Sequence, residues 1–342
     1  MSQVSNQIEP PNWKPLLQDI HDGRCVAFLG AGANIGGGGV EIPTGVKLAK
    51  DLVRHMTGLK AADNPEDLVK LNPPLDKHKD MLRSGLTDLA RVSLHLRDQL
   101  GAKDFLDEIR GRLIHQTCQP SPLLKVLASL PFELIVTTNY DCMMEASLIE
   151  AQRPFYTVVQ PLHGFDEKRG RQINEELNNF NSVRLYKIHG EFPPQPAAAL
   201  AAGQNDDDPG EVSPIIITEE DYIRFLTILP VAFRGVPSWI QGKIKNSRFL
   251  FLGYGLEDWD FRTLYEALIE PLPKFKKPMS YAIQWEPPQF WVDYWIKRTV
   301  RIYSMDVRNF AADLRQKYDD MFPPPAVAGK NNGDASQAGQ AV

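Results

Sequence analysis

Four short runs in this chain hold residue types that could cradle a phosphate or handle a proton: Gly30-Ala31-Gly32-Ala33, Thr137-Thr138-Asn139-Tyr140-Asp141, Lys187-Ile188-His189-Gly190 and Gly253-Tyr254-Gly255. The first opens a stretch with seven glycines between Gly30 and Gly45. Glycine costs folding entropy, so such density needs a use. One use is close backbone approach to a pyrophosphate, with helix N-terminal N–H groups facing the anion. The other is a tight turn that packs a helix on a strand. The spacing Gly30, Gly32, Gly36 is G-x-G-x-x-x-G rather than the dinucleotide G-x-G-x-x-G, and no acid stands where a ribose 2′-hydroxyl would need one. The Thr-Asn-Tyr-Asp run offers hydrogen-bonding side chains, and each of Thr, Asn and Asp is equally a good helix cap. His189 brings an imidazole with a reference pKa of ~6.5, suited to accepting a proton near neutrality. A second His-Gly stands at His163, without a convincing strand before it. Gly253 and Gly255, with Glu257 and Asp258 after them, fit a ligand-binding turn or a turn before a capped helix.

What must position these groups is legible in the pattern around them. Trp13, Leu16, Leu17 and Ile20 recur at helical spacing before the apolar run "CVAFLG". Val46, Ala49, Leu52, Val53 and Met56 form another helical face, with Thr44 as its N-cap. Three further helices are expected between 85 and 130, and 60–82 reads as a polar, proline-bearing loop. Strands are predicted at Leu134–Thr138, at Val183, Leu185 and Ile188, at "IIIT" from Ile215, at "FLFL" before Gly253, and at "MSYAIQW" and "TVRIYSM" near the end. Each polar run thus closes a predicted strand. Repeated strand–turn–helix order predicts an α/β fold: a Rossmann-like, mostly parallel sheet covered by helices on both faces, with a helical insertion at about 60–130. Ligands of such sheets sit outside the carboxyl ends of the strands. One domain is expected over 1–322, interrupted by a mobile Pro/Ala/Gly/Asp-rich loop at about 193–214 and followed by a disordered tail at 323–342.

Composition narrows the class. With 342 residues, 43% of them hydrophobic and 24% charged, the chain is of ordinary globular type. No apolar run reaches the ~20 residues of a membrane span and the start lacks signal-peptide order, so a soluble cytoplasmic protein is expected. The three cysteines, Cys25, Cys118 and Cys142, are scattered, which reads as no disulfide framework and no zinc site; no metal is expected. A net charge of −5 argues against a chain-wide nucleic-acid footprint.

Taken in order, the Gly-Ala-Gly-Ala run, the Ile42-Pro43 pair, "TTNYD", "KIHG", "ITEEDY" and "FLGYGLEDWDF" resemble the sirtuin-like superfamily, and within it the prokaryotic branch of anti-phage defence proteins that break down NAD. The resemblance runs from about residue 12 to 310. It implies that Gly30, Ala31, Gly32, Ala33 and Pro43 embrace the pyrophosphate of NAD, with Thr138 beside them and with Gly253 and Gly255 near the adenosine half. Asn139 and Asp141 would flank the nicotinamide ribose, and His189 would be the active-site histidine. NAD would be the substrate rather than a retained cofactor. Two departures stand out: "IPTGV" replaces the family's Ile-Pro-Asp-Phe-Arg, and the four-cysteine zinc module is missing, so protein deacylation is not favoured. The function implied is an NAD glycohydrolase. An ADP-ribosyltransferase or deacylase of the sirtuin type, and a non-catalytic module that senses NAD or ADP-ribose, are the alternatives. The resemblance also implies control from outside the chain, through a homo-oligomer or through a companion such as a HerA-type ATPase or another defence protein.

Overall fold

The computed structural model describes residues 11–57, 88–161, 167–192, 215–232, 236–269 and 278–323. The loop predicted at 60–82, the segment at 193–214, His163 and the tail from 324 lie outside the described residues.

In chain order the helices are α1 (Trp13–His21), α2 (Gly45–Thr57), α3 (Leu89–Leu100), α4 (Ala102–Leu113), α5 (Pro122–Ser129), α6 (Met143–Glu150), α7 (Glu167–Asn179), α8 (Glu219–Ala232), α9 (Ser238–Asn246), α10 (Trp259–Leu268), α11 (Gln289–Ile296) and α12 (Val307–Met321). The strands are β1 (Cys25–Leu29), β2 (Leu134–Thr137), β3 (Phe155–Val159), β4 (Val183–Lys187), β5 (Arg248–Leu252), β6 (Ser280–Gln284) and β7 (Val300–Ser304). They form one sheet in the order β3-β4-β2-β1-β5-β6-β7, and every neighbouring pair is parallel.

A parallel sheet hides both faces, so its central strands should be apolar throughout. They are: all five residues of β1 are buried. Alternation then sends Val26 and Phe28 to one face and Cys25, Ala27 and Leu29 to the other. The first face packs against α7 to α11 through Leu177, Phe225, Ile240, Phe261 and Trp295, among others. The second packs against α1, α5, α6 and α12 through Leu17, Leu127, Leu148 and Leu314. Helices α2, α3 and α4 gather around a smaller core of their own, built on Leu52, Val92, Phe105 and Ile109 and joined by Ile42, Phe192 and Ile217. Of the helices expected in the insertion at about 60–130, α3 and α4 join this core with α2, while α5 packs on the second sheet face.

Two features differ from expectation. "IIIT" is not a strand: Ile215 makes an isolated antiparallel bridge to Gly190, and Thr218 then turns to start α8. Asp221 accepts from the amides of Ile217 and Thr218 while Thr218 Oγ1 accepts from the amide of Asp221, so a capping box takes the residues a strand would have used. Strand β3 and helices α7, α9 and α11 are additional. β3, a run of Phe, Tyr, Thr and two Val, is an edge strand and only half-buried.

The chain leaves β1 towards β2 on one side and returns on the other side at β5. The topological switch point therefore lies between β1 and β5, and a crevice opens outside their carboxyl ends.

Candidate active site

Four loops, after β1, β2, β4 and β5, meet at that crevice, and the sheet ladder continues into three of them. The Gly30 amide donates to Leu252 O at 2.9 Å, the Thr138 amide to Leu29 O at 3.1 Å and the Ile188 amide to Thr137 O at 3.0 Å. Tyr254 adds a cross-link: its hydroxyl lies 2.9 Å from Leu29 O and 2.9 Å from Thr138 Oγ1.

The glycines are placed by packing. Gly253 has φ +76°, and a Cβ there would stand 2.1 Å from the Ala33 nitrogen. Gly32 faces it, where a Cβ would lie 2.9 Å from Gly253 Cα; a Cβ on Gly30 would lie 2.7 Å from Gly253 O. The two loops touch backbone to backbone, clipped by Gly32 N–H to Gly253 O at 3.0 Å. The next glycines press on the loop before α5: a Cβ on Gly37 would meet Gln119 O at 2.5 Å and one on Gly39 would meet Thr117 O at 1.7 Å. The expected strand–loop–helix order holds, with a short 3-10 turn, Ala31–Asn34, inside the loop and α2 starting at Gly45, directly after the expected cap Thr44. Thr44 accepts from the Lys47 amide at 3.4 Å at its start.

The resulting cleft has a volume of about 440 Å³. Ala31, Gly32, Pro43, Thr138, Asn139, Asp141, His189, Gly253 and Gly255 all line it. Gly30 and Ala33 are buried behind its wall, Ala33 in the core shared with α5. Asn139 is held by its Nδ2, which donates to Gly30 O at 3.2 Å, and by its amide, which donates to Thr137 Oγ1 at 3.0 Å. Asp141 is buried; its carboxylate accepts from Asn34 Nδ2 at 2.8 Å and from the Met143 amide at 2.9 Å, starting α6. Asp141 thus precedes the N-cap residue of α6, Cys142, and also lines the cleft.

His189 is 2% exposed and lies edge-on to the rings of Tyr222 and Phe225. Its Nε2 is buried without a hydrogen-bond partner. Burial lowers its pKa to about 3, so the imidazole is neutral at physiological pH. A solvent-exposed ring would instead keep the ordinary value of ~6.5 expected from the sequence. Gly190, at φ +81°, turns the chain after it, and His189 O accepts from the Ile216 amide at 2.9 Å.

Other residues at the site carried no clear signal in the sequence. Lys187 is fully buried, and its Nζ donates to Asp141 O and Glu145 Oε1, both at 2.8 Å, with Glu191 Oε2 at 3.2 Å. Burial opposes its charge, but the neighbouring acids outweigh that and raise its pKa. A lysine on a buried parallel strand was the available cue. Asn34, Gln284, Asp306 and Trp285, which is 63% exposed just after β6, line the cleft itself, as do Tyr254 and Glu257 of the turn already singled out. Among the described lining residues there is no Lys or Arg.

A sequence model of the SIR2-like domain matches residues 133–303, half of the chain. This chain belongs to the SIR2-like family. The matched span runs from the start of β2 into β7, so it holds Thr138, Asn139, Asp141, His189, Gly253 and Gly255, while the Gly30–Pro43 loop precedes it. Among curated proteins, the NAD(+) hydrolase ThsA of Acinetobacter baumannii (strain 532279) is 25% identical over 243 residues, covering 71% of this SIR2-like chain and 39% of that protein. The NAD(+) hydrolase ThsA of Enterococcus faecium is 24% identical over 246 residues, covering 72% and 40%. The chain therefore spans about two-fifths of the length of these relatives. Among solved structures, a chain from work on the structural basis for the mechanism and regulation of Sir2 enzymes overlaps at 13% identity and a TM-score of 0.42, covering 92% of this chain and 99% of that one. That overlap is too loose to add to the topology read directly from the strands. No helix among the described residues is long and apolar enough to cross a membrane.

Proposed function

We propose that this chain is an NAD glycohydrolase: it binds NAD in the switch-point cleft and cleaves the nicotinamide–ribose bond with water, releasing nicotinamide and ADP-ribose. The observation that carries the reading is convergence. Asn139, Asp141, His189 and the Gly32 and Gly253 loops come from four strand ends far apart in sequence and line one cleft, with a buried imidazole nitrogen unpartnered in its wall. The relatedness to two NAD(+) hydrolases supports the same chemistry.

In this reading the Gly30–Ala33 and Gly253–Gly255 loops, with Pro43 and Thr138, take the dinucleotide backbone, and the nicotinamide ribose lies against Asn139, Asp141 and His189. The C1′–N bond breaks and nicotinamide leaves as a neutral ring. Positive charge develops on the ribose, where the Asp141 carboxylate offsets it in a water-poor setting. Water oxygen then bonds to C1′ and its proton passes to solvent. Asn139 orients that water or a ribose hydroxyl through Oδ1, because its Nδ2 is committed to Gly30 O. His189 Nε2 accepts a hydrogen bond from the same hydroxyls. Its pKa of about 3 keeps it neutral and makes it a positioning acceptor.

The test is chromatography of NAD incubated with purified protein, with and without acceptor proteins. Nicotinamide and free ADP-ribose in equal amounts support hydrolysis. ADP-ribose retained on protein would make the chain a transferase, and NAD bound but intact would make it a sensing module.

A further inference from the structure

Behind the cleft, one ammonium ties together two of the loops that carry its polar groups. Lys187 ends β4, two residues before His189, and its side chain is fully buried. Its Nζ donates to Asp141 O in the loop after β2 and to Glu145 Oε1 on α6, both at 2.8 Å. Glu191 Oε2, just past the His189-Gly190 turn, stands 3.2 Å away. An ammonium has three donors, and here three acceptors from three separate elements meet it.

Burying an ion pair is costly, and well-packed apolar side chains in its place are often at least as stable. What they cannot do is fix a loop in direction as well as in distance, as a hydrogen bond does. Lys187 grips the Asp141 peptide by its carbonyl, while the Asp141 carboxylate, which lines the cleft, is held separately by Asn34 Nδ2 and the Met143 amide. Through Glu191 the same ammonium reaches the turn that carries His189. We propose that Lys187 is a positioning residue for the cleavage: it sets the spacing between Asp141 and His189, while lying outside the cleft lining itself. The inference rests on the NAD-cleaving reading above.

Measuring kcat and KM for NAD per folded chain separates this role from a structural one. A misplacement of about 1 Å behind reacting groups can cost on the order of 10²-fold, so Lys187→Met should lower kcat by about 10- to 100-fold. KM should stay within about 3-fold of the parent, because the Gly30–Ala33 and Gly253–Gly255 loops are not held by this ammonium. Glu191→Ala removes one arm at a partly exposed position and should lower kcat in the same direction. Added to Lys187→Met it should cost nothing further, since both changes break one contact. A purely structural Lys187 would lower the melting temperature and leave kcat per folded chain at the parent value. That result in Lys187→Met, or an unchanged kcat in Glu191→Ala, overturns the inference while the glycohydrolase reading stands. Should Lys187→Met fail to fold, the kcat of Glu191→Ala decides alone. No nicotinamide release by the parent overturns that reading as well as the inference.

Discussion

His189 sits where an imidazole is electrostatically expensive to charge, and that leaves a mark on the whole protein. Its pKa is about 3 in the fold against ~6.5 in the unfolded chain. Between those values the unfolded state binds the extra proton, so stability falls as pH falls from 6.5 towards 3, by up to ~1.4 kcal/mol per pH unit. His189→Gln should flatten this acid limb in urea titrations run at pH 4, 5 and 6; an unchanged slope would mean that the ring is solvated. Lys187 is the second residue whose environment predicts an outcome. Lys187→Met leaves Glu145 partly desolvated without its cation, a change worth roughly 3–5 kcal/mol, and frees the Asp141 carbonyl. A melting temperature unchanged from the parent would contradict the buried-pair account. Asn139, Asp141 and His189 were picked out as site candidates by the ordered motifs that resemble the sirtuin-like superfamily; taken alone, each fits a helix cap or a structural histidine. Lys187 and Asn34 were not, since their roles depend on partners that only the tertiary fold brings close.

At the scale of elements, the glycine-rich loop has a double explanation. Density alone suggested a phosphate cradle; the fold shows that Gly32 and Gly253 are first required by each other. Gly253→Ala combines a left-handed φ with a Cβ 2.1 Å from the Ala33 nitrogen, so the two loops must separate. The expected cost is ~1–3 kcal/mol or more, seen as a lower melting temperature. Full stability in Gly253→Ala would show that the loops yield without cost. The central strands β1, β2, β4 and β5 were legible because burial on both faces demands continuous apolar runs. The edge strand β3, Phe155–Val159, and the aromatic-rich α11 went unassigned although their residues are strand-forming and apolar, because both are short and neither ends in one of the polar runs that marked the other elements. "IIIT" misled in the other direction: three branched residues read as a strand, while the Thr218–Asp221 capping box outcompeted it.

Over the whole molecule, one all-parallel sheet gathers the candidate groups at a single edge, and the switch point between β1 and β5 decides where. If such a chain depletes NAD, its activity needs restraint. Ordering of the cleft by self-association or by a partner, such as a HerA-type ATPase or another defence protein, would supply it as a population shift. NAD turnover per chain should then rise with protein concentration or added partner; a constant specific activity from a monomer of 38.5 kDa would argue against assembly control. The measurement that bears most directly on the central claim is nicotinamide release from NAD by the parent chain and by Asn139→Ala and His189→Ala, each shown to be folded. The account predicts release by the parent and a loss of ~10²- to 10⁴-fold in each variant. Release at the parent rate in both folded variants would place the chemistry elsewhere and contradict it.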